Sequence, residues 1–563
     1  MGLLSPKEPE FDLGEWRRQP YAERVRWQCQ AWAVDGFGTP PAAYLFYVLK
    51  IGLYLVGWGV FVSIGSDVGV LDVATWWDEP VAFQKLVVWS VLFEVLGLGC
   101  ASGPLTGRYV PPVAAPFHWL RPGTTRLPPW PDTIPFTAGH RRTVLDAVLY
   151  GALLVLAVRA LVGAEVTPSS VLPIVVLLPL IGLRDKTIFL AARAEVYWSF
   201  LIVFLFPTDV IAGSQVVQAA IWWGAATSKL NHHFPGVVTV MVSNSPFLRS
   251  RRIRTAMYKD HPDDLRPSWI ASWLAHGGTA LEYTFPALLV IGDGGALTTI
   301  GLVAMVSFHL FILFSVPMGV PLEWNVFTIY AGLFLFGANA DASPLQIDSP
   351  LLVGLFVVGL LIGPVLGNFK PEWISFLPSM RYYAGNWATS LWLFRKGSYE
   401  ELDEHITKTA ATFRKQLSRF YGEDDVAGIV GRALAFRAMH LHGRAVNHVL
   451  PAAVADLDEY DVLDGETVAG IVLGWNFGDG HLHHDQLLAA VQAQCRYEPG
   501  ELRVVYLESQ PIHRQRHRYR ILDAATGIVQ EGEVPVRDLL QEQPWPEPEG
   551  RDPAPGKPAP TDP

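Results

Sequence analysis

ALTTIGLVAMVSFHLFILFSV, residues 296–316, carries one ionisable side chain, His309, and is apolar around its whole circumference. A helix greasy on every face is either wrapped in protein or wrapped in lipid. About 20 such residues suffice to cross the hydrocarbon core, where only a helix or a closed barrel satisfies its own backbone amides. This stretch predicts a membrane helix, and similar runs recur on both sides of it.

Working outward, apolar runs over 43–64, 82–102, 143–162, 171–190, 194–212, 215–233, 269–291, 324–340 and 350–367 join it. Together they predict about ten spans. Arg184, Asp185 and Lys186 interrupt the fourth, which reads as a short or re-entrant helix. The composition agrees, with 50% hydrophobic and only 17% charged residues, the balance of a chain with much of its surface in lipid. The expected partner is therefore the bilayer, and nothing in the charge distribution calls for nucleic acid.

Lys and Arg are unevenly spread between the runs. They collect in the N-terminal segment (Lys7, Arg17, Arg18, Arg24, Arg26), in the second loop (Arg108, Arg121, Arg126, Arg141, Arg142) and after the sixth run (Arg249 to Arg266). The loops 67–80, 163–170, 292–295 and 339–350 have none. The positive-inside rule assigns the first set to the cytosol, and an even number of spans puts both termini there, in a plasma (bacterial inner) membrane. No secretory signal opens the chain. Cys29, Cys100 and Cys495 lie far apart without CxxC spacing, so neither a disulfide framework nor a cysteine zinc site is indicated.

Past Pro371 the long apolar runs stop. The reading is a mostly α protein: a cytosolic segment 1–40, a polytopic helical bundle 41–370, a connector 371–396, a small soluble α/β domain 397–543 and a Pro-rich disordered tail 544–563. In the domain, SYEELDEHITKTAATFRKQLSRFYG (398–422) has the spacing of a surface helix. ETVAGIVLGW (466–475) and ELRVVYLESQ (501–510) read as strands, DQLLAAVQAQC (485–495) as a helix, and 516–534 as a hairpin turning at 525–527.

Ionisable groups inside apolar runs are costly and by default mark function. Glu94, Lys229, Glu282 and His309 stand out, with Arg193 and Glu195 as a further pair. Structural explanations exist for each: Lys229 can snorkel, as can Lys50, Lys85 and Arg159; the carboxylates can pair with cations as helix glue; His309 can bond a neighbouring helix. A buried lysine is also readily tuned into a general base. In the domain, GDGHLHHDQ (478–486) gathers Asp479, His481, His483 and His484 as candidate zinc or iron ligands, with His440, His442 or His448 available to complete a site. Asp485 reads equally well as a helix N-cap.

Three stretches carry a resemblance: WWGAATSKLNHHFP (222–235), TALEYTFPALLV (279–290) and SFHLFILFSVPMGVPLEW (307–324). They resemble the HTTM superfamily, the membrane core shared with vitamin K-dependent gamma-carboxylases, over about residues 40–390. As a whole the chain is similar to an actinobacterial transmembrane family of about this length. The HTTM resemblance implies Lys229 as a proton acceptor, assisted by His232 or His233, acting with Glu282 and His309 on a lipid-soluble, quinone-like or isoprenoid substrate. A lipid quinone is the implied cofactor class. Nothing resembles the carboxylases' protein-substrate region, so glutamate carboxylation is not expected. The alternative is a transporter or a lipid-binding scaffold, although no internal repeat of the transporter kind is visible.

Overall fold

The computed structural model describes residues 2–66, 68–100, 114–131, 133–315 and 322–546. Arg108, the ends of the runs 82–102 and 296–316, the middle of SFHLFILFSVPMGVPLEW and most of the Pro-rich tail lie outside them. Pro544, at the start of that tail, is packed and accepts a bond from Asn447 at 2.7 Å.

Among the described residues four helices are long and apolar enough to cross a membrane: Pro41–Ser63, Val144–Val162, Ala296–Ser315 and Pro350–Phe369. A fifth crossing is possible only if Tyr197–Val203 and Pro207–Ser228, bent by 118°, count as one span. The expectation of about ten is therefore corrected. An apolar run and a span are different things, because a helix wrapped in protein is as greasy as one wrapped in lipid. Pro80–Val95 is the clearest case, with 13 of its 16 residues buried. Pro168–Arg184 stops at Asp185, which is held by Arg142 at 2.5 Å and caps the next short helix. Leu322–Ala338 falls short of spanning length as well.

The basic stretches gather at one end of the molecule. Arg17 pairs with Asp424 and Glu423, Arg24 with Asp458, and Arg432 donates to the Lys7 and Phe37 carbonyls, so the N-terminal segment sits directly on the C-terminal domain. Arg444 reaches the Leu265 carbonyl, and Arg254 that of Val34. Trp119 donates to the Leu473 carbonyl. The N-terminal segment and the C-terminal domain thus pack on one face.

The short strands Tyr258–Asp260 (β1) and Asp264–Pro267 (β2) pair within the basic stretch. The domain is built on a five-stranded antiparallel sheet of Thr389–Arg395 (β3), Tyr460–Asp464 (β4), Leu502–Leu507 (β5), Arg516–Asp523 (β6) and Gly527–Pro535 (β7), in the order β4-β3-β5-β6-β7. Strand β5 and the hairpin lie where the sequence places them, and Asp485–Cys495 is a helix. Two readings change. ETVAGIVLGW is not a strand: Asp464 caps a helix over Gly465–Leu473, and Gly474 ends it with φ 83°. Burial on all sides erased the periodicity that separates the two. The sheet also draws β3 from the segment expected to be a connector, so the domain begins before residue 397. The surface helix expected over 398–422 is broken into Tyr399–His405 and Phe413–Leu417.

Candidate functional site

The Val210–Ser228 helix ends with Lys229 as its C-cap residue, which turns the ammonium inward, where it pairs with Glu282 of the Trp269–Ile291 helix. Both side chains are buried. The ammonium also faces the rings of Phe308 and Phe234, 5.4 and 5.5 Å from their centroids, a favourable cation–π placement. His309 is fixed on both ring nitrogens. Trp222 Nε1–H, which can only donate, is 3.0 Å from Nε2, so the proton sits on Nδ1 and is donated to Asn325 Oδ1 at 3.0 Å. The imidazole is therefore neutral.

These groups line one cavity of about 570 Å³, and its walls are otherwise almost wholly apolar. Ile221, Trp222, Val238, Met241, Phe308 and Ile312 form much of the inside, and Tyr382 and Tyr383 line it as well. Leu274, Leu281, Ile253 and Phe311 line it and are also exposed at the molecular surface. Gly277 and Gly278 face the cavity too, and a Cβ built on either meets no atom within 4 Å. The wall is open there for want of side chains. A volume of this size, greasy and with few polar groups, is that of a small-molecule pocket.

Lys229, Glu282 and His309 are thus brought together, but His232 and His233 are not part of the constellation. His232 is exposed. His233 points away into the domain, where Nε2 donates to His517 Nε2 at 2.7 Å; the His517 proton is on Nδ1, given to the Glu508 carbonyl at 2.9 Å. Trp222, Asn325 and Tyr382 escaped the sequence reading. Asn325, a polar residue opening an apolar run, carried the same signal as His309.

Glu94, Arg193 and Glu195 form a separate buried group behind Trp324 and Tyr382, with Lys50, Cys100 and Glu323. Arg193 stacks on Trp324 at 4.4 Å. Lys50 does not snorkel: it is buried and paired with Glu323. Lys85 is buried as well and donates to the Phe61 and Ile64 carbonyls at a helix end, whereas Arg159 is exposed.

The candidate histidine ligands of the domain are each held by a partner of their own. Among the described residues, the group of His, Cys, Asp and Glu whose ligand atoms all lie within 4.8 Å is Glu94, Cys100 and Glu323, and the domain histidines are not in it. Each is engaged separately: His481 with Glu508 at 3.0 Å, His483 with Ser390 at 2.7 Å, and His484 with Lys186 at 3.3 Å. Asp479 accepts from the His481 amide, and His484, not Asp485, caps the following helix. Burial pushes His484 and His517 down to about 4 and His440 to about 3, and drives His442 and His483 well below the usual imidazole range. Burial alone would raise Glu508, but His481, the Ser509 amide and the Tyr506 hydroxyl together outweigh it and hold the carboxyl at about 2.

A family model described as transmembrane protein of unknown function, DUF3556, matches residues 1–557. The chain belongs to that family. No curated protein and no solved structure matches it. The membership fits the apolar helices and establishes a transmembrane protein that sits in a lipid bilayer.

Proposed function

We propose that this is a membrane-embedded enzyme that takes a lipid-soluble substrate into the Lys229–Glu282–His309 cavity and moves a proton there. The observation that carries the reading is the cavity: about 570 Å³ of apolar volume with a buried ion pair on its wall. A quinone-like or isoprenoid molecule suits such walls, entering past Gly277 and Gly278 from the lipid. Burial penalises both charges of the pair. A proton shifted onto Glu282 leaves the Lys229 amine as the base, and His309 and Asn325 present a fixed polar edge. The resemblance to the HTTM proteins, whose corresponding lysine is a base, supports the same role. The basic face with the N-terminal segment and the domain is cytosolic on this reading, in a plasma membrane.

Native mass spectrometry of the detergent-purified protein tests it. A retained quinone or isoprenoid is expected, and Lys229→Ala should abolish its turnover while the protein stays folded. Unchanged turnover would remove Lys229 as the base. The closed pairing of Lys229 with Glu282 favours a second reading, a lipid-binding scaffold or transporter, in which the pair only anchors a polar headgroup. Uptake into proteoliposomes without chemical change would establish that one instead.

A further inference from the structure

The cluster behind Trp324 and Tyr382 is a second site of a different kind. Glu94 closes the Pro80–Val95 helix, Cys100 follows it after a tight turn, and Glu323 opens the Leu322–Gly332 helix. All three are buried to within 1% of complete. Their ligand atoms lie within 4.8 Å of one another, and Cys100 Sγ is 3.3 Å from Glu323 Oε1. Neighbouring ligands around a tetrahedral zinc stand roughly 3.5 Å apart, given metal–ligand bonds of about 2.0–2.3 Å. Among the described residues Glu94 Oε1 is fully enclosed and has no hydrogen-bond partner, a cost a buried carboxylate does not ordinarily bear. Its other oxygen accepts from the Cys100 amide at 2.9 Å. A Cβ on Gly99 would overlap this carboxylate at 2.1 Å, so glycine makes the space in which it sits.

Charge points the same way. Glu94, Glu195 and Glu323 face two cations, Lys50 and Arg193, leaving one carboxylate uncompensated. A divalent cation together with a Cys100 thiolate closes the sum to zero. The two cations stand where outer supports of a metal site belong. Lys50 holds Glu323 Oε2 at 2.9 Å, leaving Oε1 toward Cys100, and Arg193 Nη1 reaches Sγ at 3.3 Å, where it steadies a thiolate.

We infer that Glu94, Cys100 and Glu323 bind a divalent metal ion, with zinc the best match to one thiolate and two carboxylates. The site is independent of the cavity chemistry proposed above.

The full-length protein, purified in detergent without chelator, is dialysed against zinc and then metal-free buffer, and its metal is counted by mass spectrometry. Stoichiometric zinc is expected in the wild type and in Cys495→Ser, whose thiol lies in the domain. Cys100→Ser and Glu94→Gln should each weaken retention by about tenfold or more. Cobalt exchanged into the site should give a thiolate-to-metal absorption band that Cys100→Ser removes. Size-exclusion profiles confirm which variants stay folded. Folded wild type that neither retains zinc nor gives the cobalt band overturns the site, as does zinc retained undiminished in Cys100→Ser.

Discussion

Two buried groups of charge share the wall made by Trp324 and Tyr382, and they are built on opposite plans. On one side Lys229 and Glu282 pair at the edge of an apolar void large enough for an organic molecule. On the other, Lys50, Glu94, Cys100, Arg193, Glu195 and Glu323 touch one another directly. The difference lies in what can compensate a charge when its partner goes. In the packed cluster another side chain or a bound metal ion must do so, whereas in the cavity a water molecule or a ligand headgroup can take the place. Glu323→Gln should therefore have the largest effect, costing about 3–5 kcal/mol by breaking the buried ion pair with Lys50. Glu282→Gln should cost about 1–3 kcal/mol. Thermal unfolding in one detergent measures both, and equal losses would erase the distinction.

Acid separates both groups from the domain. His440, His442, His483, His484 and His517 are buried with imidazoles held below their ordinary 6.5. A depressed folded value means the stability they support is intact above pH 6.5 and is lost as the pH falls through about 4 for His484 and His517 and about 3 for His440. Each contributes up to roughly 1.4 kcal/mol per pH unit across its window. The melting temperature should thus fall steeply on acidification from pH 6.5, and by the same amount in Lys229→Met as in the wild type. A variant that flattened this slope would place the acid response in the membrane half.

The cavity residues were legible because lysine, glutamate and histidine in greasy runs are conspicuous: Lys229, Glu282 and His309 come from three separate runs and meet at one void. Glu323 was missed because it stands just outside the 324–340 run, and Asn325 because it bears no charge. His232 and His233 were misplaced for a geometric reason. The chain turns after Lys229, so sequence neighbours face different surroundings, and what His233 meets, His517, lies 284 positions away. Span number was the least legible feature, since composition cannot tell a helix buried like Pro80–Val95 from one in lipid. In the domain, the turn at Ala525 to Gly527 marked the hairpin, while the fully buried Gly465–Leu473 helix gave no period to read.

Removing both cavity charges sharpens the comparison at smaller cost. Lys229→Met with Glu282→Leu leaves neither partner stranded, and exchange of a buried ion pair for packed apolar groups is often neutral or stabilising. The double variant should melt within about 1 kcal/mol of the wild type, well above Glu282→Gln alone. It should still retain apolar lipids and lose those held through a polar headgroup. Loss of all bound lipid would mean that the pair shapes the void and does not only recognise what fills it.

The smallest change in stability should come from Gly278→Phe, and it isolates the void itself. A side chain at Gly278 meets no atom within 4 Å at its Cβ, so the ring can turn into the cavity without displacing a neighbour. Glycine inside a helix is also less favourable than a residue with a side chain by up to about 1 kcal/mol, so the variant should melt no lower than the wild type. Copurifying lipid should nonetheless fall, because the ring takes up volume and closes the gap through which lipid enters. Stability and occupancy then move in opposite directions, a combination that damage to the fold does not produce. If lipid content is unchanged in this variant, the bound molecule lies elsewhere, and Lys229 and Glu282 are structural glue between two helices.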